Sequence, residues 1–205
     1  MINQAYVDQA FRYLMTRATK LYSLRLMPGL SNHEIETIEQ RHGFTFPLDL
    51  RLLLQTALPL TDDTRDFPNW RDGDAWLEHK LADPFSCVEY GVSEFDFWWK
   101  EWGKRPKSPT AAVALAADFL AAMPKLIPVY AHRYLPSIPT LAGNPVMSLV
   151  DFDFIYYGHD LPSYLAAEFG VPNPYPVPAL PRYIPMWAEA VEATGGWSGP
   201  TAVTY

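Results

Sequence analysis

The stretch that decides the fold is PKLIPVYAHRYLPSIPTLAGNPVMSLVDFDFIYYG, residues 124–158. It contains two runs rich in β-branched and aromatic residues, Leu126–Tyr134 and Val146–Tyr157, joined by a connector rich in proline and glycine. Such runs favour strands, and the proline and glycine residues favour a turn between them. The stretch therefore predicts two neighbouring strands of a central sheet.

Polar and aromatic side chains occupy the middle of both predicted strands. A strand that only has to fill a core rarely carries so many residues able to form hydrogen bonds or ion pairs. We therefore expect this sheet and its rims to form a recognition surface for another protein. Its candidate residues are Tyr130, His132, Arg133, Asp151, Asp153, Tyr156 and Tyr157.

Two of these candidates, Asp151 and Asp153, are two residues apart. On one strand they would face the same side about 6–7 Å apart, which is the arrangement of a glycosidase-like carboxylate pair. The neighbouring positions Phe152, Phe154 and Tyr156 form the clearer apolar row, however. Alternation therefore favours these rings facing inward and the two aspartates facing outward.

Helical patterns dominate the rest of the chain. Ser31 and Glu34 predict a capping box at the start of a helix, and Gly43 suits the position after its end. Proline can likewise occupy the first position of a helix. The predicted helices are residues 2–26, Asn32–His42, Leu48–Ala57, Ala75–Leu81, Pro109–Ala122, Leu161–Phe169 and Met186–Thr194.

Four segments do not show the pattern of a regular helix or central strand. The stretch Pro59–Gly73 reads as a polar connection, and Asp83-Pro84 as a loop. The aromatic strap FDFWWKEWG, Phe95–Gly103, fits either a helix or an irregular buried segment. Six prolines between residues 171 and 185 forbid helix or central strand, so residues 171–187 predict an extended arm that packs on the body.

Composition predicts one α+β domain spanning residues 1–205. The chain is 49% hydrophobic and 15% aromatic, which is enough for a sizeable core. Its 16 basic and 23 acidic residues give a net charge of −7, which repels phosphate backbones. We therefore expect no direct binding of nucleic acid, although Lys100, Lys104, Arg105 and Lys107 form a short basic cluster.

The lone Cys87 excludes an intrachain disulfide and a multi-cysteine metal site within this sequence. A free thiol fits a reducing compartment, and we find neither a signal-peptide pattern nor an apolar run of membrane-spanning length. These features predict a cytoplasmic protein without membrane contact. We also expect no metal and no cofactor, because the five histidines contain no i,i+4 pair and no glycine-rich phosphate loop is present.

No catalytic motif is recognisable. The serines lie outside a G-x-S-x-G elbow, and the sequence around Cys87 lacks the features of a reactive thiol. Two alternatives stay open at this point. One is a hydrolase that uses Asp151 and Asp153 with His132 or His159; the other is a small-ligand-binding protein that uses the tryptophans of the aromatic strap for stacking.

The opening PGLSNHEIETIEQRHGFTFPLDLRLLL, Pro28–Leu54, resembles the start of SMI1/KNR4 domains in the SUKH superfamily. In that family a P-G-L-s-x-x-E-I helix precedes G-x-x-x-P and a second helix. The resemblance continues, in a bacterial branch, through FPNWRDGD, FWWKEWGKRP, the sheet stretch and DLPSYLAAEFG, so that it covers most of residues 28–169. The matching positions in the opening are Gly29, Leu30, Glu34, Ile35, Glu39, Gly43 and Pro47.

The resemblance implies a mostly antiparallel sheet flanked by helices and no catalytic residues. Bacterial members of the family are linked to immunity against polymorphic toxins, often nucleases, and fungal members act as regulatory scaffolds. One difference is visible: many members end the second helix in an N-G turn, whereas this chain continues into TALPLTDD. The resemblance predicts a non-enzymatic protein-binding module, with toxin domains among its candidate partners.

Overall fold

The computed structural model describes residues 11, 12, 15–17, 24–61, 66–73, 75–151, 153–170 and 177–194. Its strands are β1 (Leu24–Pro28), β2 (Ala57–Thr61), β3 (Leu126–Tyr130), β4 (Arg133–Pro136), β5 (Val146–Val150) and β6 (Asp153–Gly158). Its helices are α1 (Asn32–His42), α2 (Leu48–Thr56), α3 (Ala75–Glu94), α4 (Pro109–Ala122), α5 (Leu161–Glu168) and α6 (Trp187–Thr194), with a 3-10 turn at Lys100–Trp102. The fold is α+β, and both of its sheets are antiparallel.

The central sheet has four strands in the order β3-β4-β5-β6. The prediction of two long strands is wrong, because each run folds back on itself as a tight hairpin. Ala131 and Asp151 lie in the two turns with φ values of 47° and 52°. Neither turn carries the Asn-Gly or Asp-Gly pair by which a tight hairpin is usually recognised in a sequence, so the pattern reads as unbroken strand.

Each face of the central sheet forms part of a separate hydrophobic core. Ile127, Val129, Leu135 and Val146 contribute to a first core with α1, α2 and α5. On the opposite face, a second core is formed with α3, α4 and α6, and it takes in Leu126, Tyr134, Met147, Leu149, Phe154 and Tyr156. The inward orientation expected of Phe154 and Tyr156 is confirmed, and Phe152 lies outside the described residues.

Strands β1 and β2 pair to form a smaller sheet. In the chain, β1 precedes helices α1 and α2, and β2 follows them. Leu24–Pro28 is a strand, so the helix expected over residues 2–26 does not extend to its predicted end. The polar connection predicted from Pro59 is also wrong, because Pro59 lies within β2. Gly29 follows β1, and an added Cβ there would lie 1.9 Å from the Gln55 carbonyl oxygen, so only glycine fits this crossing.

Helix α3 continues well beyond the predicted Leu81. Pro84 lies inside it, and the loop expected at Asp83-Pro84 is absent from this described segment. Leu77, Pro84, Val88 and Val92 are buried at helical spacing. Burial of this stripe outweighs the cost of about 3 kcal/mol that an interior proline imposes.

The aromatic strap is irregular apart from its 3-10 turn, which decides between the two readings of its sequence. Trp99 and Trp102 are buried in the second core, with ring centroids 4.5 Å apart. The structure describes the arm from residue 177 onward. In this part, Ile184 is fully buried in the same core. No helix within the described ranges combines the length and the apolar character needed to cross a membrane.

Candidate functional site

Both hairpin turns of the central sheet lie at the same end, which we call the turn end (residues 130–133 and 150–153). The connector between β4 and β5 crosses the opposite end. The Leu149 amide donates to the His132 carbonyl over 3.1 Å, which joins the two hairpins there. The Ala131 amide donates to the Asp66 carbonyl over 2.7 Å. The fold thus brings together five of the seven residues that the sequence selected: Tyr130, His132, Arg133, Asp151 and Asp153.

Arg133 is buried on the face of the sheet that joins the first core, with 8% of its surface exposed. Its Nη1 donates to the Ser148 hydroxyl over 3.0 Å, and its guanidinium carbon lies 3.7 Å from the centre of the Tyr157 ring. This is a cation–π contact, which stabilises a guanidinium that has lost most of its water. Arg133 and Tyr157 therefore support the turn end from within and present little surface to a partner.

Two tyrosines of the predicted surface also pack internally. The half-buried Tyr130 ring lies 4.8 Å from Phe67 and 5.4 Å from Phe169, measured between centroids. Tyr156 belongs to the second core, on the other face, and burial raises the pKa of its hydroxyl to about 12. Tyr156 is thus a core residue and is not available to a partner.

Asp151 and Asp153 form an exposed acidic tip together with Val150, which is 51% exposed. The outward orientation expected for the aspartates is confirmed. Their predicted position on one strand is wrong, because Asp151 lies in the turn and Asp153 begins β6, where it pairs with Val150. The strand spacing that suggested a glycosidase-like pair therefore does not apply.

The two histidines of the hydrolase alternative lie at opposite ends of the sheet. Strand β6 is extended over six residues, Asp153–Gly158, and His159 follows it, so Asp153 and His159 are about 20 Å apart. His132 lies at the turn end, where burial first and the neighbouring Arg133 second lower the pKa of its imidazole. Asp153 and His159 are therefore too far apart for one catalytic centre. Within the described residues, no group of three or more His, Cys, Asp or Glu side chains is placed to hold a metal ion.

A polar cluster that the sequence reading missed lies beside the turn end on α3. Asp83 accepts from Lys80 Nζ over 2.6 Å and from the Tyr134 hydroxyl over 3.0 Å. One turn further along, burial and the charges of Asp83 and Asp151 raise the pKa of the Cys87 thiol to about 11. This thiol is protonated at neutral pH and is a poor nucleophile. The i,i+3 spacing of Lys80 and Asp83 could have predicted their ion pair, but the helix predicted from the sequence ended at Leu81, before Asp83.

The site therefore consists of a rigid internal support and an exposed acidic tip. The support is the Arg133–Tyr157 contact, and the tip is Val150 with Asp151 and Asp153. Such an arrangement can bind a partner through charge and a small apolar contact. Comparison of the chain with protein-family models, with curated proteins and with solved structures gives no match.

Proposed function

We propose that this chain is a non-enzymatic protein-binding module of the kind that the SMI1/KNR4 resemblance implies, with a basic toxin domain as its partner. The observation that carries the proposal is the exposed acidic tip of Val150, Asp151 and Asp153, at the end of a sheet whose two faces are both covered. A covered sheet leaves its ends as the surfaces where binding residues can vary without disturbing the core.

Electrostatics supports the choice of partner. Nuclease toxins must attract phosphate backbones and so present basic clefts, whereas this chain has a net charge of −7. Opposite net charges raise the association rate and favour correct orientation, and the acidic tip adds local charge to that field. Val150 supplies the apolar contact that interfaces need at their centre.

Affinity capture tests the proposal. The full chain is used as bait in extract of its source cell, and bound proteins are identified by mass spectrometry. We expect a stable partner with a basic surface. Recovery of no stable protein partner, with toxins encoded beside this gene included in the search, would count against the proposal.

Variants then locate the interface. We expect the double substitution Asp151→Lys and Asp153→Lys to weaken capture by about a hundredfold or more, because two attractions become repulsions. The matched control, Glu94→Lys with Asp118→Lys, makes the same change in net charge at exposed helix positions that are not part of the tip. If both double variants weaken capture equally, the effect is one of net charge, and the tip is not part of the interface.

A further inference from the structure

A groove opens where the two cores meet, between the ends of α1 and α4 and the side of α3. Its inner compartment has a volume of about 380 Å³ and lies between Phe44 of the first core and Met123 and Trp187 of the second. An outer compartment of about 650 Å³ continues past Ala121 and Lys125, which line both. We call the two compartments together the junction groove. Both volumes fall in the range of small-molecule sites.

The inner compartment is lined mainly by apolar side chains from four elements. Phe85 of α3 lines this compartment. It is a large hydrophobic residue, yet 40% of its surface is exposed. The lining suits a flat or branched hydrocarbon portion of a ligand. The residues that form it are Leu81, Phe85, Leu120, Met123, Leu126 and Trp187.

The charges around the junction groove are predominantly negative. Three carboxylates line it, Glu36, Glu39 and Glu78, against the single ammonium of Lys125. The Lys125 Nζ is already engaged, because it donates to the His42 carbonyl over 2.7 Å. Among the acids, Glu39 accepts from the Phe46 amide, and its carboxylate pairs with the Arg51 guanidinium over 3.7 Å. The negative charge of the junction groove therefore comes from the exposed Glu36 and Glu78.

One helix end adds to this negative field. Helix α1 ends at His42 and helix α4 ends at Ala122, and both ends border the junction groove. A helix C-terminus carries the equivalent of about half a negative charge. The Lys125 ammonium on the His42 carbonyl offsets that charge at α1, so the contribution comes from the end of α4.

We propose that the junction groove binds a small amphipathic organic cation, an ammonium attached to an apolar or aromatic group. The apolar group occupies the inner compartment against Met123 and Trp187. The ammonium lies at the mouth, near Glu78. This site is remote from the acidic tip in the fold, and the proposal does not depend on the chain being a protein-binding module.

Calorimetric titration with two probes of matched shape tests the ligand class. The probes are 4-phenylbutylammonium and 4-phenylbutyrate, which share a hydrocarbon portion and carry opposite charges. We expect saturable binding of the cation to one site at low ionic strength, with an affinity at least about tenfold above that of the anion. Equal affinities, or no cation binding at millimolar concentration, would overturn the proposal.

Two substitutions test the location. Ala121 is exposed and borders both compartments, so Ala121→Trp fills the junction groove without disturbing a core; Ala114→Trp is the control on the same face of α4, two turns away. We expect Ala121→Trp to lower cation affinity by at least about tenfold and Ala114→Trp to leave it unchanged. Glu78→Gln should lower cation affinity about threefold to fivefold and leave anion affinity unreduced. Unchanged cation affinity in Ala121→Trp would place the binding elsewhere and refute the site.

Discussion

At the scale of single residues, Asp49 is the clearest case of a charge in an unfavourable place. It lies in the first turn of α2, is 1% exposed, and accepts from the Gly143 amide over 2.9 Å and from the Leu50 amide over 3.0 Å. Burial raises the pKa of its carboxyl from 3.8 to about 6, although both hydrogen bonds act to lower that pKa. The folded chain therefore holds this proton more tightly than the unfolded chain.

The raised pKa predicts a loss of stability as pH rises from 4 to 6. Protons bind the folded state more strongly in this window, so the contribution of Asp49 is fully favourable below about pH 3.8 and is lost as pH rises through about 6. A difference of about two pKa units corresponds to about 3 kcal/mol. Urea unfolding of the native chain and of Asp49→Asn at pH 4 and pH 7 measures it. We expect the stability difference, native minus variant, to fall by about that amount; the same difference at both pH values would contradict the expected titration.

Glu34 predicts the opposite pH dependence. The hydrogen bond from Arg71, 2.7 Å long, is the main reason that the pKa of this carboxylate is lowered to about 2, and Ser31 adds to the effect. The stabilising contribution of Glu34 is therefore present above about pH 4.5 and is lost as pH falls towards 2. Glu34→Gln keeps the capping geometry and removes the charge. We expect it to lower Tm at pH 7 and to match the native chain near pH 2, and an equal Tm difference at both values would refute this.

At the scale of elements, the hairpin turns store a small amount of backbone strain. Ala131 has a φ of 47°, a conformation that costs about 1 kcal/mol for a residue with a Cβ. Asp151 has a similar φ, but an aspartate tolerates it better than an alanine does. Ala131→Gly should therefore raise the free energy of unfolding by about 0.5 kcal/mol, and Asp151→Gly should raise it less. Denaturant unfolding compares the two, and a destabilised Ala131→Gly would mean that the turn is unstrained.

The same turns show how far sequence reasoning reaches. Helices with a local start or stop signal were predicted closely: the capping box at Ser31 and Glu34 forms, Gly43 has a φ of 65°, and Asp160 caps α5. Elements whose structure depends on tertiary packing were not predicted closely. Helix α3 passes through Pro84 because its buried stripe compensates, and the hairpins turn at Ala131 and at Asp151 without their usual residues.

The sequence selected residues that the fold brings to the turn end, although it did not predict the two turns themselves. The outward aspartates and the inward Tyr156 were predicted correctly. The sequence could not show that Arg133 is buried, because strand alternation assigns a face without saying whether a helix covers that face. Both faces of this sheet are covered, which the hydrophobic pattern of a single strand does not reveal.

At the scale of the whole molecule, the shared sheet predicts cooperative unfolding. Each core uses one face of the same four strands, so loss of either core exposes the sheet on which the other rests. We expect one two-state transition, which also tests the expectation of a single domain. Far-UV circular dichroism and tryptophan fluorescence should give coincident urea curves. Two separated midpoints would show that the cores unfold independently.

The extended arm is held to the sheet connector by one guanidinium. Arg182 donates through Nη1 to the Asn144 side-chain oxygen over 2.6 Å and through Nη2 to the Ala142 carbonyl over 2.9 Å. Asn144 in turn donates to the Pro136 and Pro139 carbonyls, both over 2.8 Å. The arm, the connector and the end of the sheet opposite the turn end thus form one hydrogen-bonded network.

This network predicts a large effect from a single substitution far from either core centre. Arg182→Ala removes two charge-assisted hydrogen bonds and should cost about 2–3 kcal/mol of unfolding free energy. Arg182→Lys should recover less than half of that, because an ammonium lacks the planar fork that reaches both acceptors at once. Limited proteolysis should show faster cleavage within residues 177–183 in the alanine variant than in the native chain. Native-like stability and cleavage in both variants would mean that the guanidinium adds nothing, and that the buried Ile184 and Trp187 and the contact of His159 with the Pro178 carbonyl hold the arm.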